Sequence, residues 1–192
     1  MALPELILAS TSPYRRDLLR RLQIPFRVEI AAVDETPFPD EAPETLVCRL
    51  ADAKALAIAQ RFPQAVVIGA DQTAVCAGRV LGKPGNIEQA VAQLTWMQGQ
   101  AVDFLTGVTV VAPSGTEAFL VPYRVVLYAL THAEIHRYVE RDMPLDCAGS
   151  FRSEGLGISL VEHMEGEDPN ALMGLPLIAV CRALRNLGYL LP

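Results

Sequence analysis

The sequence predicts an α/β fold built on a mixed β-sheet, because short apolar runs alternate with stretches of helical periodicity. Two of these runs, LILAS at residues 6–10 and AVVIGA at residues 65–70, have the length and composition of buried strands. Two long β-rich segments, residues 102–112 and 118–130, flank the turn sequence Pro113-Ser114-Gly115. This pair predicts a hairpin in the middle of the strand–helix alternation.

Helical signals occupy the segments between and after these strands. The first follows Thr11-Ser12-Pro13, where a hydroxyl residue precedes a proline at the first helical position. Others cover residues 43–61, 88–97, 131–140 and 175–187. The segment 131–140 has Glu134 three residues after Thr131, which is a capping-box pattern. The longest segment places apolar residues along one side, namely Leu46, Leu50, Ala53 and Leu56.

Length and composition favour one domain, of one or two lobes, that spans residues 1–192. The net charge of −6 without a basic stripe argues against a nucleic-acid polymer as partner, but it allows a single nucleotide. No uncharged run approaches the roughly 18 apolar residues that a membrane span requires, and the first residues do not resemble a signal peptide. The four cysteines are widely spaced, so we expect reduced thiols and a cytoplasmic location without membrane contact.

The junction SPYRR at residues 12–16 is the first candidate site. Backbone N–H groups at a helix start attract phosphate, and the guanidinium forks of Arg15 and Arg16 suit phosphate oxygens. The alternative is a capped helix with two solvated arginines, and spacing alone favours that alternative.

Asp71 is the second candidate, because it directly follows the predicted strand 65–70. Ligands of open α/β sheets bind beyond the carboxyl ends of strands. A carboxylate at such a position can hold a divalent cation or accept a proton from water. The alternative is an ordinary aspartate in a turn.

Two further features involve charged residues. Lys54 and Lys83 are the only lysines among sixteen basic residues, so each could mark a place that needs a compact ammonium, although chance also explains them. Asp34 and Glu35 form a paired carboxylate in the loop VDETP, which suits magnesium or manganese as well as a turn.

The remaining polar patterns favour structural roles. His132 and His136 have the spacing of a helical metal site, but no HExxH arrangement accompanies them and a solvated helix face is favoured. The acidic stretch Glu162, Glu165, Glu167 and Asp168 is most simply a solvated loop. The sequence contains no serine-hydrolase elbow and no P-loop.

Several longer motifs, in order, resemble the Maf family of nucleotide pyrophosphatases over essentially the whole chain. The matching stretches are LILASTSPYRRDLL, VDETP, the helix carrying Lys54, VIGADQ, LGKP, TGVTV, LDCAGSFRSEGLG and MGLPL. The resemblance implies an elongated, two-lobed α/β fold of the Maf and inosine-triphosphatase type with a central cleft, often dimeric. It also implies a divalent cation, magnesium or manganese, and release of pyrophosphate from a nucleoside triphosphate.

Matching these motifs residue by residue transfers specific roles to this chain. Asp71 becomes the catalytic proton acceptor and, together with Glu35, a metal ligand. The positions implied to bind substrate are Ser12, Arg15, Arg16, Lys54 and Lys83.

Three positions resemble the subgroup that acts on 7-methyl-GTP. They are the aromatic Tyr14 before the two arginines, Gln72 after Asp71, and Glu154 in SFRSEG. The sister subgroup, which acts on dTTP and UTP, typically has arginine, threonine and glutamine there, and tyrosine at position 14 replaces the commoner tryptophan. Activity on dTTP or UTP is therefore one alternative. Another is a nucleotide-binding regulator, because members of this family have been linked with inhibition of septum formation.

Overall fold

A computed structural model describes residues 3–192, and within that range seven strands form one mixed sheet. The sheet order is β2-β1-β3-β5-β6-β7, with β4 paired to β3. β1 lies parallel to β2 and β3, whereas the other pairs are antiparallel. The strands are β1 Leu6–Ala9, β2 Phe26–Glu29, β3 Val66–Cys76, β4 Arg79–Leu81, β5 Ala101–Ala112, β6 Gly115–Leu127 and β7 Val161–Glu165. The predicted mixed-sheet α/β class is confirmed.

Three of the α-helices in residues 3–192 begin at a capping side chain. Ser12 accepts a hydrogen bond from the backbone N–H of Arg15, and Asn86 accepts one from that of Gln89. Thr131 and Glu134 form the complete capping box that the sequence predicts. The α-helices are α1 Pro13–Arg20, α2 Pro43–Ala59, α3 Ile87–Met97, α4 His132–Asp142 and α5 Leu177–Asn186, and the short 3-10 helices are Ala148–Ser150, Leu156–Leu160 and Pro169–Met173. Within residues 3–192, none of the helices has both the length and the apolar character of a membrane span.

Strand β3 has a gap along one edge, and this gap positions the site. β1 pairs with β3 only from Val66 to Gly69, and β4 pairs with it only from Ala74 to Cys76. On its other edge β3 pairs with β5 without interruption from Val67 to Cys76. Among the described strands, none therefore neighbours residues 70–73 on the open side, where the carboxyl end of β1 leads into α1.

Two apolar cores lie on one face of the sheet, one on each side of this gap. The first contains Leu6, Leu8 and Ile68 with side chains of α1 and α5. The second contains Ala74 and Phe104 with side chains of α3 and α4. On the opposite face, α2 packs against β1 and β3 in a third cluster. The two cores define two lobes, which share the long strands β3, β5 and β6.

Three local expectations from the sequence differ from the structure. Asp71 does not end its strand, because β3 continues to Cys76 and remains paired with β5. Leu56 is 46% exposed, since Lys54 turns toward the sheet and residues two positions apart lie on nearly opposite sides of a helix. The predicted acidic loop contains strand β7. Its Asp168 is only 2% exposed, and its carboxylate is stabilised there by a hydrogen bond from the backbone N–H of Ile178 at the start of α5.

Candidate active site

Arg15 projects from the first turn of α1 into the gap along β3. Its Nε donates to the carbonyl oxygen of Gly174 at 2.8 Å, and its Nη1 donates to that of Ala70 at 2.8 Å. Ala70 belongs to the part of β3 that has a strand neighbour on one edge only, so Arg15 supplies a hydrogen-bond partner on the open edge. Burial lowers the pKa of the Arg15 guanidinium, while the charges of Asp71 and Glu35 act in the opposite direction. The group remains a cation, because an arginine does not lose its proton in proteins.

Lys54 joins the two acidic residues of the proposed metal site. Its ammonium Nζ lies 2.6 Å from Oδ1 of Asp71 and 2.7 Å from Oε1 of Glu35. The side chains of Lys54 and Asp71 are only 10% and 14% exposed, whereas that of Glu35 is 60% exposed. The hydrogen bond from Lys54 lowers the pKa of Glu35, and burial opposes this effect. Both carboxylates therefore approach one cationic centre.

Two glycines allow α2 to bring Lys54 this close to the sheet. A Cβ atom at Gly69 would lie 2.3 Å from the carbonyl oxygen of Ala51, and one at Gly107 would lie 2.4 Å from that of Val47. Such distances are far inside van der Waals contact, so the packing of α2 on β3 and β5 depends on glycine at both places.

The loop before α2 presents Glu35 to the site. Glu41 accepts hydrogen bonds from the Arg49 guanidinium at 2.6 and 2.7 Å, and Arg49 also donates to the carbonyl oxygen of Thr36. Asp34 caps a local turn by accepting from the Thr36 backbone N–H at 2.9 Å. Of the paired carboxylates, Asp34 is thus engaged in the turn and Glu35 reaches Lys54.

A cavity of about 250 Å³ opens between the two lobes beside this cluster. One lobe contributes residues of α1 and its N-terminal loop, and the other contributes residues of the Lys83 loop and of the segment 146–154. The predicted site residues among its lining are Ser12, Tyr14, Arg15, Gln72, Lys83 and Glu154. A larger groove of about 600 Å³ between β6 and α5 contains none of the predicted site residues. The chemistry therefore points to the smaller cavity.

Lys83 lies on an exposed loop that is hydrogen-bonded to residues 145–149 on the same side of the cavity. The backbone N–H of Gly149 donates to the carbonyl oxygen of Gly82 at 3.2 Å, and that of Gly85 donates to the carbonyl oxygen of Leu145 at 3.0 Å. Lys83 and Arg15 both contribute to the lowered pKa of Glu35 through their charges. The cations of the cavity and the carboxylates beside it therefore belong to one electrostatic site.

The amide of Gln72 has a fixed orientation. Its Nε2 donates to the carbonyl oxygens of Ala171 and Leu172 at 2.6 and 3.2 Å and to Oγ1 of Thr106 at 3.1 Å. Because both carbonyls can only accept, the NH₂ group must face them. The amide oxygen is thus the atom of Gln72 that remains to accept a hydrogen bond from a ligand.

Glu154 is presented by a loop that an ion pair with the buried carboxylate of Asp142 supports. The carboxylate of Asp142 pairs with the Arg152 guanidinium and accepts from the Leu156 backbone N–H at 3.1 Å. The Tyr138 hydroxyl accepts from the backbone N–H of Arg152 at 3.0 Å. These contacts fix both ends of the short loop, and the exposed Glu154 lies between them at the cavity wall.

Some of the residues singled out from the sequence lie apart from the cavity. Arg16 points away from it and pairs with Asp17, with Nε 3.3 Å from Oδ1, in solvent. His132 and His136 contact each other through their Nε2 atoms at 3.1 Å, and no cluster of three or more metal-ligating side chains occurs in residues 3–192.

Two residues that line the cavity were not predicted as site residues from the sequence. Asp146 and Cys147 lie on its wall, but neither has a spacing signal apart from the motif LDCAGS. Their contacts are with residues distant in the chain, which local patterns do not reveal.

A family profile described as Maf-like protein matches residues 5–187. This chain belongs to the Maf family. Three similar relatives bear the name 7-methyl-GTP pyrophosphatase. The one from Nitrosococcus oceani is 50% identical over 97% of this chain and 94% of its own length, and the one from Alkalilimnicola ehrlichii is 54% identical over the same shares. The one from Xanthomonas oryzae is 53% identical over 99% of this chain and 100% of its own length.

The predicted resemblance of the chain to the Maf family is thereby confirmed. Among solved structures, the Staphylococcus aureus Ham1 protein overlaps with a TM-score of 0.46 and 16% identity, over 65% of this chain and 72% of that one.

Proposed function

We propose that this Maf protein hydrolyses 7-methyl-GTP to 7-methyl-GMP and pyrophosphate. The observation that carries the proposal is the meeting of three cations, Arg15, Lys54 and Lys83, with two carboxylates, Glu35 and Asp71, beside a cavity that has an aromatic and an acidic wall. The names of relatives that are about half identical to the chain over nearly its full length support the same activity.

The cationic end of the site suits a triphosphate. Water attacks the α-phosphate slowly because the polyanion repels a nucleophile and pyrophosphate leaves with developing charge. Arg15 is held rigidly by two carbonyls and Lys83 extends from the facing loop, so their charges can bind phosphate oxygens from both sides. Asp71, which accepts a hydrogen bond from Lys54, is the carboxylate that we assign to remove the proton of the attacking water.

We further propose that Glu35 and Asp71 hold a divalent cation. Both carboxylates already converge on one ammonium, and carboxylate oxygens are the ligands that magnesium and manganese prefer. Magnesium commonly uses only one or two carboxylates and completes its shell with water and phosphate oxygens, so two acidic residues suffice. When bound, the cation would neutralise phosphate charge.

The other end of the cavity suits a cationic purine. Methylation at N7 gives guanine a positive charge, and the face of Tyr14 then gains a cation–π attraction of about 0.5–2 kcal/mol. Glu154 can accept from the N1–H and amino group of the base, and its charge favours the methylated form. The amide oxygen of Gln72 can accept a further hydrogen bond, because its NH₂ group is already engaged.

The central test is Asp71→Asn, assayed by pyrophosphate release from 7-methyl-GTP with magnesium or manganese. We expect kcat to fall about 10²- to 10⁴-fold, the usual contribution of a general base. The fold should be retained with a lower melting temperature, because the buried Lys54 loses the charge of one of its two carboxylate partners. Asp40→Asn is the matched control, because Asp40 lies on an exposed loop with a positive φ of 55° that asparagine tolerates. Turnover close to that of the unaltered enzyme would exclude Asp71 from the mechanism.

A panel of nucleotides separates this activity from the alternatives. An enzyme for dTTP or UTP would hydrolyse these faster than 7-methyl-GTP in side-by-side assays. A purely regulatory protein would bind nucleotide without turnover, and its biological effect would survive Asp71→Asn. A cytoplasmic location and a homodimer remain predictions.

A further inference from the structure

One side-chain hydrogen bond joins the two lobes across the cavity. The Tyr14 hydroxyl, on α1, donates to Oδ1 of Asp146, in the segment between α4 and the 3-10 helix Ala148–Ser150, at 3.1 Å. The Cys147 thiol lies next to both groups, with Sγ 3.7 Å from the Tyr14 oxygen and 3.6 Å from the same carboxylate oxygen. Asp146 is therefore the acceptor on which the other two groups converge.

Two of these three side chains, Tyr14 and Cys147, have a raised pKa. Burial raises the pKa of the Tyr14 phenol, and the neighbouring Cys147 and Asp146 raise it further. Burial also raises the pKa of the Cys147 thiol, to about 12. Tyr14 and Cys147 thus keep their protons at neutral pH, and both are hydrogen-bond donors to Oδ1 of Asp146.

The backbone holds Asp146 in place from both sides. Leu145, immediately before it, accepts a hydrogen bond from Gly85, and Gly149, three residues after it, donates one to Gly82. Arg152, a nearby cation, is engaged by the buried carboxylate of Asp142, so its charge is largely offset there. A carboxylate held in this way can orient the side chain that donates to it.

We propose that Asp146 is a specificity-determining residue that holds the Tyr14 ring across the cleft and adds a second negative charge, beside Glu154, around a cationic purine base. This inference rests on the proposed function, since it concerns the base end of the same cavity. A hydrogen bond from the phenol to a carboxylate makes the ring more electron-rich, which strengthens its attraction for a cation above its face. The carboxylate also attracts the cation directly.

The test uses 7-methyl-GMP and GMP as ligands, because these monophosphates have no anhydride bond to hydrolyse. Titration calorimetry on the unaltered protein gives the ratio of the Kd for GMP to the Kd for 7-methyl-GMP. Asp146→Asn retains an acceptor oxygen but removes the charge, and we expect it to lower this ratio about fivefold with little change for GMP. Asp17→Asn is the matched control, because Asp17 is an exposed acid on α1 outside the cavity.

A double-mutant cycle with Tyr14→Phe distinguishes orientation of the ring from simple charge attraction. If Asp146 acts through Tyr14, Asp146→Asn will have a smaller effect on the ratio when it is combined with Tyr14→Phe than when it is made alone. Additive effects, or a ratio that Asp146→Asn changes by less than twofold, would overturn the proposal, as would an unaltered protein without preference between the ligands. Hydrolysis of 7-methyl-GTP by the unaltered protein is measured separately, so failure of the proposed function is recognised independently.

Discussion

Arg15 connects three parts of the chain through one planar group. It extends from α1, completes the hydrogen bonding of β3 at Ala70, and holds the segment after the last 3-10 helix at Gly174. With Nε and Nη1 engaged in this way, its Nη2 group remains available to a phosphate oxygen. The fork geometry of arginine makes structural and ligand-binding contacts possible at the same time.

Arg15→Lys should therefore affect both stability and substrate binding. A single ammonium cannot reach both carbonyls in the same geometry, so one is left without its donor, at a cost of about 1–3 kcal/mol in the free energy of unfolding. We expect KM for the nucleotide to rise about tenfold, which corresponds to about 1.4 kcal/mol of lost binding. Urea titration and steady-state kinetics provide the two measurements. Arg20→Lys is the control, because Arg20 forms only an exposed ion pair with Asp17 and should be nearly neutral.

At this scale the sequence revealed residue types better than their contacts. The scarcity of lysine singled out Lys54 and Lys83, and the junction SPYRR singled out Arg15. Nothing in the spacing could show that Arg16 faces solvent, because its direction depends on how α1 lies on the sheet. Asp146 was overlooked for the same reason, since its partner Tyr14 is 132 positions away in the chain.

Helix α2 is the element on which the acidic cluster depends. It packs closely on the sheet through Gly69 and Gly107, and this contact sets the distance from Lys54 to Asp71. The sequence predicted the helix and its length well, because Pro43 starts it and the apolar spacing continues to its end. It predicted the buried face only in part, because Leu46 and Leu50 are buried whereas Leu56 is exposed. The burial of Lys54 was not predicted, since a buried lysine is unusual and is tolerated here only by its two carboxylate partners.

Gly107→Ala tests the dependence of the site on this packing. The added Cβ would meet backbone atoms of Val47 and Cys48, which cannot move without shifting α2. We expect a loss of about 2–3 kcal/mol in the free energy of unfolding and a lower kcat, as Lys54 moves away from Asp71. Gly82→Ala is the control for stability, because a Cβ there would meet nothing within 4 Å. Equal unfolding curves for the two variants would contradict this prediction, because they would show that α2 can accommodate the added Cβ at position 107.

The carboxyl end of strand β3 could not be predicted from the local sequence pattern. Its apolar run stops at Ala70, and the polar residues Asp71 and Gln72 that follow led to the prediction that the strand ends there. The strand continues because β5 pairs with all of these residues on its other edge, a long-range contact that a local pattern does not encode. The polar pair is tolerated in the sheet because each side chain has partners, Lys54 on one face and Thr106 on the other.

The folding of the whole molecule lowers the reactivity of its four cysteine thiols. Burial raises the pKa of each thiol, that of Cys147 to about 12, whereas an ordinary thiol has a pKa of about 8.5. At a pH of about 8 the reactive thiolate is therefore scarce in the folded protein. We expect iodoacetamide to modify the native protein slowly at this pH, and mass spectrometry to detect modification of all the cysteines in guanidinium chloride. Rapid modification of the native protein would contradict the described burial.

The general architecture was predictable from the sequence, whereas the shape of the cleft was not. Alternation of strands and helices around a central hairpin was enough to indicate a mixed sheet. The cleft itself arises because β1 and β4 pair with different stretches of one β3 edge. No sequence feature of either short strand predicts the gap between these two stretches.

That separation also limits how the two lobes of the enzyme can move. Strands β3, β5 and β6 run unbroken past the opening, with ten residue pairs in the first ladder and twelve in the second. In the part of the chain that the structure describes, no flexible linker lies at this level about which the halves could rotate as on a hinge. Entry of nucleotide and departure of products must instead rely on twisting of strands β3, β5 and β6, which both lobes share, and on small movements of the loops around the cavity.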